Sequence, residues 1–386
     1  MPNPLNVAWL PQTSGLCGAA CAQMILNAQG KAGSDLATLN ALWSDIKSKT
    51  VQPGPNPAGS PVGPCGQFVN QICESCRPPF CWCTHPSALA ATIDMHLGGG
   101  AAAVSIDASE DAITSRAIAS IDNGLAAAVL VHHGTHWVVV FGYEPAVLGS
   151  GQAATHVMIR DSEHESRTIV KMSYWMNSYL TQIRCGTLKQ LSVVVGAGAG
   201  AVPIAHAKVS SVDALAPIVE PSLIVEQART DAGWLLSSQK WVAALRDAAP
   251  GRPLLVRDLE NSGRDYYLVD FRTGDRPTAR MVFDARVPAS GEYAGIDQAD
   301  RELPPFISPE DVLRTIDGRN VEYRDGTSRT IDAGAVKTPP ALVWNACDQS
   351  HSAFQPFYQI QQDAGVVYLR SDGALFPRLT TSGAGA

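Results

Sequence analysis

Apolar residues at positions 21, 24, 25 and 28 follow the i, i+3, i+4, i+7 spacing of a buried helical stripe, and predict an amphipathic helix over Cys17–Gln29. A second helical segment is expected over Pro86–Leu97 (PSALAATIDMHL). The pattern then changes. Ala126–His132 and His136–Tyr143 (HWVVVFGY) are apolar runs joined at Gly134-Thr135, and the second carries valines and aromatics at consecutive positions, as a central strand buried on both faces does. Thr155–Arg160 reads as a further strand after the Gly-containing loop 144–154, and Leu191–Val195 as another.

The small-residue run Gly196-Ala197-Gly198-Ala199-Gly200 breaks this organisation and predicts a linker. Beyond it, Pro253–Leu259, Tyr266–Phe271 and Arg280–Ala285 read as strands of a meander, punctuated by Gly263, Gly274 and Asp275. Helices are expected from Ser238, with Trp241 and Leu245 on one face, and from Ser308, with Pro309 at the first helical position and Gly318 as the stop. The layout expected is therefore a domain at 1–195, a linker at 196–203, an α+β, sheet-rich domain at 204–379 and a disordered tail at 380–386. With 386 residues, each domain has the length to bury its own core.

The helix pattern places Cys17 at a helix N-terminus, where unsatisfied backbone N–H groups stabilise a thiolate and so favour a nucleophilic cysteine. Cys21 falls one turn deeper on the apolar face, where burial keeps a thiol neutral and structural. Gln12, five residues before Cys17, can send its amide toward the same point as the Cys17 backbone N–H, and two donors aimed at one point make an oxyanion hole. His136 opens its strand at what is expected to be the solvent-accessible end. If that strand pairs antiparallel with Thr155–Arg160 about Gly149, position 136 faces 161 or 162, and Asp161 is placed to orient the imidazole as general base. His132, His133 and His156 compete as candidates and are read as surface or packing residues.

Gln12, the CGAACAQMIL run from Cys17, HWVVVFGY from His136 and RDS around Asp161 resemble the papain-like cysteine peptidases of the bacteriocin-processing (double-glycine leader) type, in their stand-alone form without an attached membrane transporter. The resemblance extends to the Pro86–Leu97 helix and to Met172–Trp175, and spans roughly Pro2–Val195. It implies a papain-like α+β fold, thiol-peptidase activity, a Cys17–His136–Asp161 triad with Gln12 in the oxyanion hole, and a peptide or protein substrate. The same triad would serve an amide acyl transferase or a deamidase, and a catalytically silent papain-like binding protein is the alternative outside enzymology.

Charge and cysteine content narrow the picture. A formal net charge of -7 offers no electrostatic reason to expect nucleic acid or an anionic membrane surface as partner. The apolar runs fall short of the roughly 20 residues a membrane span needs, and the first residues show no signal-peptide pattern, so a cytoplasmic location is expected. Among nine cysteines, Cys65, Cys73, Cys76, Cys81 and Cys83 cluster in the Pro/Gly-rich stretch Val51–Cys83, an elaboration on the family's pattern. Their density raises a structural zinc site, with free thiols, disulfides or a redox cap as alternatives; no cofactor is required by the chemistry. In the second domain Cys347 and His351, four apart, are too few for a site, and the domain is expected to bind substrate or a protein partner.

Overall fold

A computed structural model of the chain describes residues 4–12, 16–49, 84–107, 109–132, 134–144, 153–163, 167–180, 191–196, 198, 217–238, 242–259, 264–287, 290–295, 303, 306–323, 326–347, 349–363 and 365–380. The chain is α+β and divides into two compact units, Met1–Val209 with Ser382–Ala386, and Ser210–Thr381.

The first unit builds α1 (Cys17–Ala28), α2 (Leu36–Lys49), α3 (Pro86–Leu97), β1 (Ala102–Asp107), α4 (Glu110–Asp122), β2 (Ala127–Val131), β3 (His136–Glu144), β4 (His156–Arg160), β5 (Arg167–Lys171) and β6 (Leu191–Gly196). Its strands pair antiparallel in the order β1-β6-β2-β3-β4-β5. β3 lies between β2 and β4, and α1 and α4 both pack on it. From Trp137 to Phe141 every side chain of β3 is fully buried, because helices cover the strand on both faces and no polar face is needed. Each such apolar side chain contributes about 1.5–3 kcal/mol on burial. Val138 and Val140 join Ile113, Ala117 and Ile121 of α4 and Trp175 in one core, where the Trp175 indole donates to Thr114 Oγ1 at 3.0 Å.

α1 departs from the expected single stripe. All residues from Cys17 to Leu26 are buried, so the helix is enclosed on every side by β3, α2 and α3. The one long polar side chain within it, Gln23, is satisfied by donating Nε2 to the carbonyls of Gly33 (3.0 Å) and Asp35 (2.8 Å). α3 starts where Pro86 fits the first helical position: the His85 ring accepts the Ser87 N–H at 3.2 Å as the cap, and Gly98 ends the helix at φ 102.

In the second unit, strands Ser290–Gly295, Arg276–Asp284, Tyr266–Thr273, Leu254–Asp258, Ala341–Trp344, Phe357–Gln362, Gly365–Arg370 and Leu375–Phe376 follow one another across a sheet. They include the expected meander strands. Leu254–Asp258 and Ala341–Trp344 run parallel. A helix at Pro221–Ser237 was not anticipated, although Pro221 sits at its first turn and Ile224, Ala228, Ala232 and Leu235 are its buried residues. The helix expected from Ser238 is the short Val242–Leu245, with Trp241 outside the described residues, and the one expected from Ser308 is Val312–Ile316, followed by Gly318 at φ 71.

Candidate active site

The N-terminal segment is laid along the end of the β3–β4 hairpin by hydrogen bonds its sequence does not advertise. Leu5 N–H donates to the Phe141 carbonyl at 2.9 Å. Arg160 Nε donates to the Val7 carbonyl at 3.1 Å, with its guanidinium 5.4 Å from the Phe141 ring centroid. Trp9 Nε1 donates to the Asp161 carbonyl at 2.8 Å, and Gln12 N–H to that of Ser162 at 3.3 Å. Gly142 admits this segment: a Cβ there would stand 2.6 Å from Pro4 Cβ. Gln12 is thereby delivered to the turn that follows β4.

That turn carries Asp161. Its Oδ1 lies 2.9 Å from His136 Nε2, with both residues buried. Cys17, at the first position of α1, is itself buried and lies within interaction reach of the imidazole. Asp161 occupies Nε2, which leaves Nδ1 to face the thiol. The three residues read from the sequence as nucleophile, base and orienter are thus brought together from a helix start, a strand start and a post-strand turn. Burial pulls the His136 ring toward neutrality, but the Asp161 and Glu163 carboxylates and the hydrogen bonds with Asp161 and Cys17 prevail and hold it well above the ordinary histidine value.

Two expectations are corrected. His136 is fully buried rather than at a solvent-accessible strand end. The hairpin register also differs: Val139 pairs with Arg160 and Val140 with Ile159, and a bulge shifts the ladder before Gly142 pairs with Met158. Continued past Arg160, this register sets 136 against 163 instead of 161 or 162. The contact with Asp161 is therefore diagonal, reached by the length of the two side chains.

Cys21 is buried one turn below Cys17. Burial pushes its thiol well up, with the charges of Cys17 and Asp161 adding to the effect, so it stays protonated as expected of a structural cysteine. Gly18, between them, allows Thr84 to pack against the first turn, since a Cβ at position 18 would meet Thr84 Cγ2 at 2.3 Å. Gln12 is not shown against Cys17. Its amide is held on the Asp161 turn, where Ser162 Oγ donates to its Oε1 at 2.8 Å and its Nε2 donates to Glu163 Oε1 at 3.3 Å. Neither Ser162 nor Glu163 was singled out from the sequence. Their signal was adjacency to Asp161 in a short polar turn after a strand, which by itself describes many turns.

His132 is buried at the β2–β3 connection with its ring 4.7 Å from that of Tyr179, and takes a left-handed φ of 51. His156 is buried at the start of β4; position 133 is outside the described residues. So are Cys65, Cys73, Cys76, Cys81 and Cys83, and the zinc reading rests on their spacing alone. In the second unit Cys347 and His351 are both buried, and Cys347 exchanges backbone hydrogen bonds of 3.0 Å with Ser350, which makes the cysteine part of a turn. Among the described residues no helix is long and apolar enough to cross a membrane.

No family model matches the chain, and no curated protein does. Among solved structures, the chain is similar to the one titled "Crystal structure of a double glycine motif protease from AMS/PCAT transporter in complex with the leader peptide", at 13% identity and a TM-score of 0.27, covering 50% of this chain and 94% of that one.

Proposed function

We propose that the first unit is a papain-like thiol peptidase. The observation that carries this reading is the buried His136–Asp161 contact of 2.9 Å, with Cys17, at a helix start, beside the ring. Cys17, its proton already held on His136 Nδ1 by the raised imidazole, attacks a peptide carbonyl as the thiolate, forming an S–C bond and a tetrahedral oxyanion. Collapse breaks the C–N bond, and the departing amine takes its proton from the imidazolium. His136 then deprotonates a water that releases the acyl group from sulfur. Asp161 keeps the ring in the tautomer and orientation that present Nδ1 to the thiol throughout. The oxyanion is received by the Cys17 backbone N–H and by the Gln12 amide.

The test is acylation of the full chain by an activated ester, followed by mass spectrometry of the Cys17 peptide. Cys17→Ala is expected to abolish acyl-enzyme formation while circular dichroism stays that of the parent. Undiminished acylation of that variant would show that another group is the nucleophile.

A further inference from the structure

Glu163 is tied to two of the proposed site residues by hydrogen bonds. Its backbone N–H donates to Asp161 Oδ1 at 2.9 Å, and its Oε1 accepts from Gln12 Nε2 at 3.3 Å. Ser162, between them, donates Oγ–H to Gln12 Oε1 at 2.8 Å. A primary amide has an acceptor end and a two-donor end that are nearly identical in shape, so its orientation is decided by what the neighbours donate or accept. An ionised carboxylate only accepts, which fixes the NH2 group on the Glu163 side. The serine hydroxyl, which can donate or accept, donates to the oxygen that this leaves at the other end. One N–H of Nε2 is spent on Glu163, and the second meets no acceptor among the described residues. An oxyanion donor delivers its effect only when it is in place before charge develops, because reorienting it during the reaction costs what its hydrogen bond returns.

We propose that Glu163 is a positioning residue that acts through Gln12, clamping the amide with Ser162 so that its remaining N–H is aimed at the oxyanion. This rests on the thiol-peptidase reading of Cys17 and His136, and two reagents on the full chain separate the two ideas. p-Nitrophenyl acetate acylates sulfur through a tetrahedral oxyanion and expels p-nitrophenolate. Iodoacetamide alkylates the same sulfur by direct displacement of iodide, with no oxyanion to stabilise. At pH 6, below the raised range of His136, Glu163→Ala is expected to lower acylation relative to alkylation about tenfold. Glu163→Gln, whose amide oxygen still accepts from Gln12, should recover most of that loss. In a Gln12→Ala background, Glu163→Ala should change the ratio no further. A Glu163→Ala loss as large without Gln12 as with it, or no loss in the parent, overturns the clamp. If His136→Ala leaves both reagents reacting with Cys17 as in the parent, the peptidase reading fails first and the clamp falls with it.

Discussion

The two ends of the β3–β4 hairpin each bury a histidine, and the two rings are driven in opposite directions. At one end His136 meets Asp161 and Glu163, whose negative charges outweigh a larger individual contribution from burial and raise its pKa well above the ordinary value. At the other end His156 pairs with Lys171 of β5, with Thr155 Oγ1 2.9 Å from Nδ1, and burial and the lysine charge act together to lower its pKa to about 4. Burial therefore lowers a histidine's pKa unless nearby negative charge outweighs it, and of these two only the His136 end has the carboxylates a general base needs.

The largest expected effect separates the ends by chemistry. His136→Ala and Asp161→Asn should each slow acylation of Cys17 on the order of 100-fold to 10,000-fold, whereas His156→Gln should keep it within about threefold; stopped-flow release of p-nitrophenolate reads all three. Equal losses at both ends would erase the distinction.

The next effect is thermodynamic, and its sign also differs between the ends. A histidine lowered from about 6.5 to about 4 binds more protons unfolded than folded between those values, so its contribution is intact above pH 6.5 and is lost as pH falls toward 4. That loss amounts to about 3 kcal/mol. His136 is raised, so its contribution is fully present below about pH 6.5 and is lost as pH rises through its folded value. Urea midpoints followed from pH 4 to 9 should show the acid loss flattened in His156→Gln and the alkaline loss flattened in His136→Ala. An acid limb that persists unchanged in His156→Gln would assign it elsewhere.

The smallest effect concerns Cys21, whose raised thiol lies within electrostatic reach of Asp161. Cys21→Ala should leave acylation within about twofold and cost about 1 kcal/mol of stability through the small cavity. A much larger drop in rate, read in the same stopped-flow assay, would bring Cys21 into the working end of the hairpin.

Much of the first unit was legible before any fold was known. The 21, 24, 25, 28 spacing marked α1 and set Cys17 at its start, and the apolar run from His136 marked a central strand. The second unit was less legible. Its meander strands were read, but the Pro221–Ser237 helix was missed because the middle of its buried stripe, Ala228 and Ala232, is small and lies amid polar residues, while apolar residues flank Ile224 and Leu235 and blur the period. At the site, Asp161 was found by counting along a hairpin, and the count was off because the ladder next to the loop pairs Glu144 with His156, centred on position 150 instead of Gly149, a shift that the bulge between Val140 and Gly142 only partly takes back.

Sequence by itself determined the α+β elements and the residue types that can act as nucleophile, base and orienter, since helix and strand periods and helix-start electrostatics are properties of a few consecutive residues. The tertiary structure decided what depends on distant segments meeting: the full burial of His136, the opposite shifts of His136 and His156, and the grip of Ser162 and Glu163 on Gln12. The physical reason is range. Backbone preferences act over a turn or a pleat, whereas desolvation, Coulomb fields and side-chain hydrogen bonds depend on neighbours in space, and residues 12 and 163 become neighbours only when the N-terminal segment is laid against the end of β4.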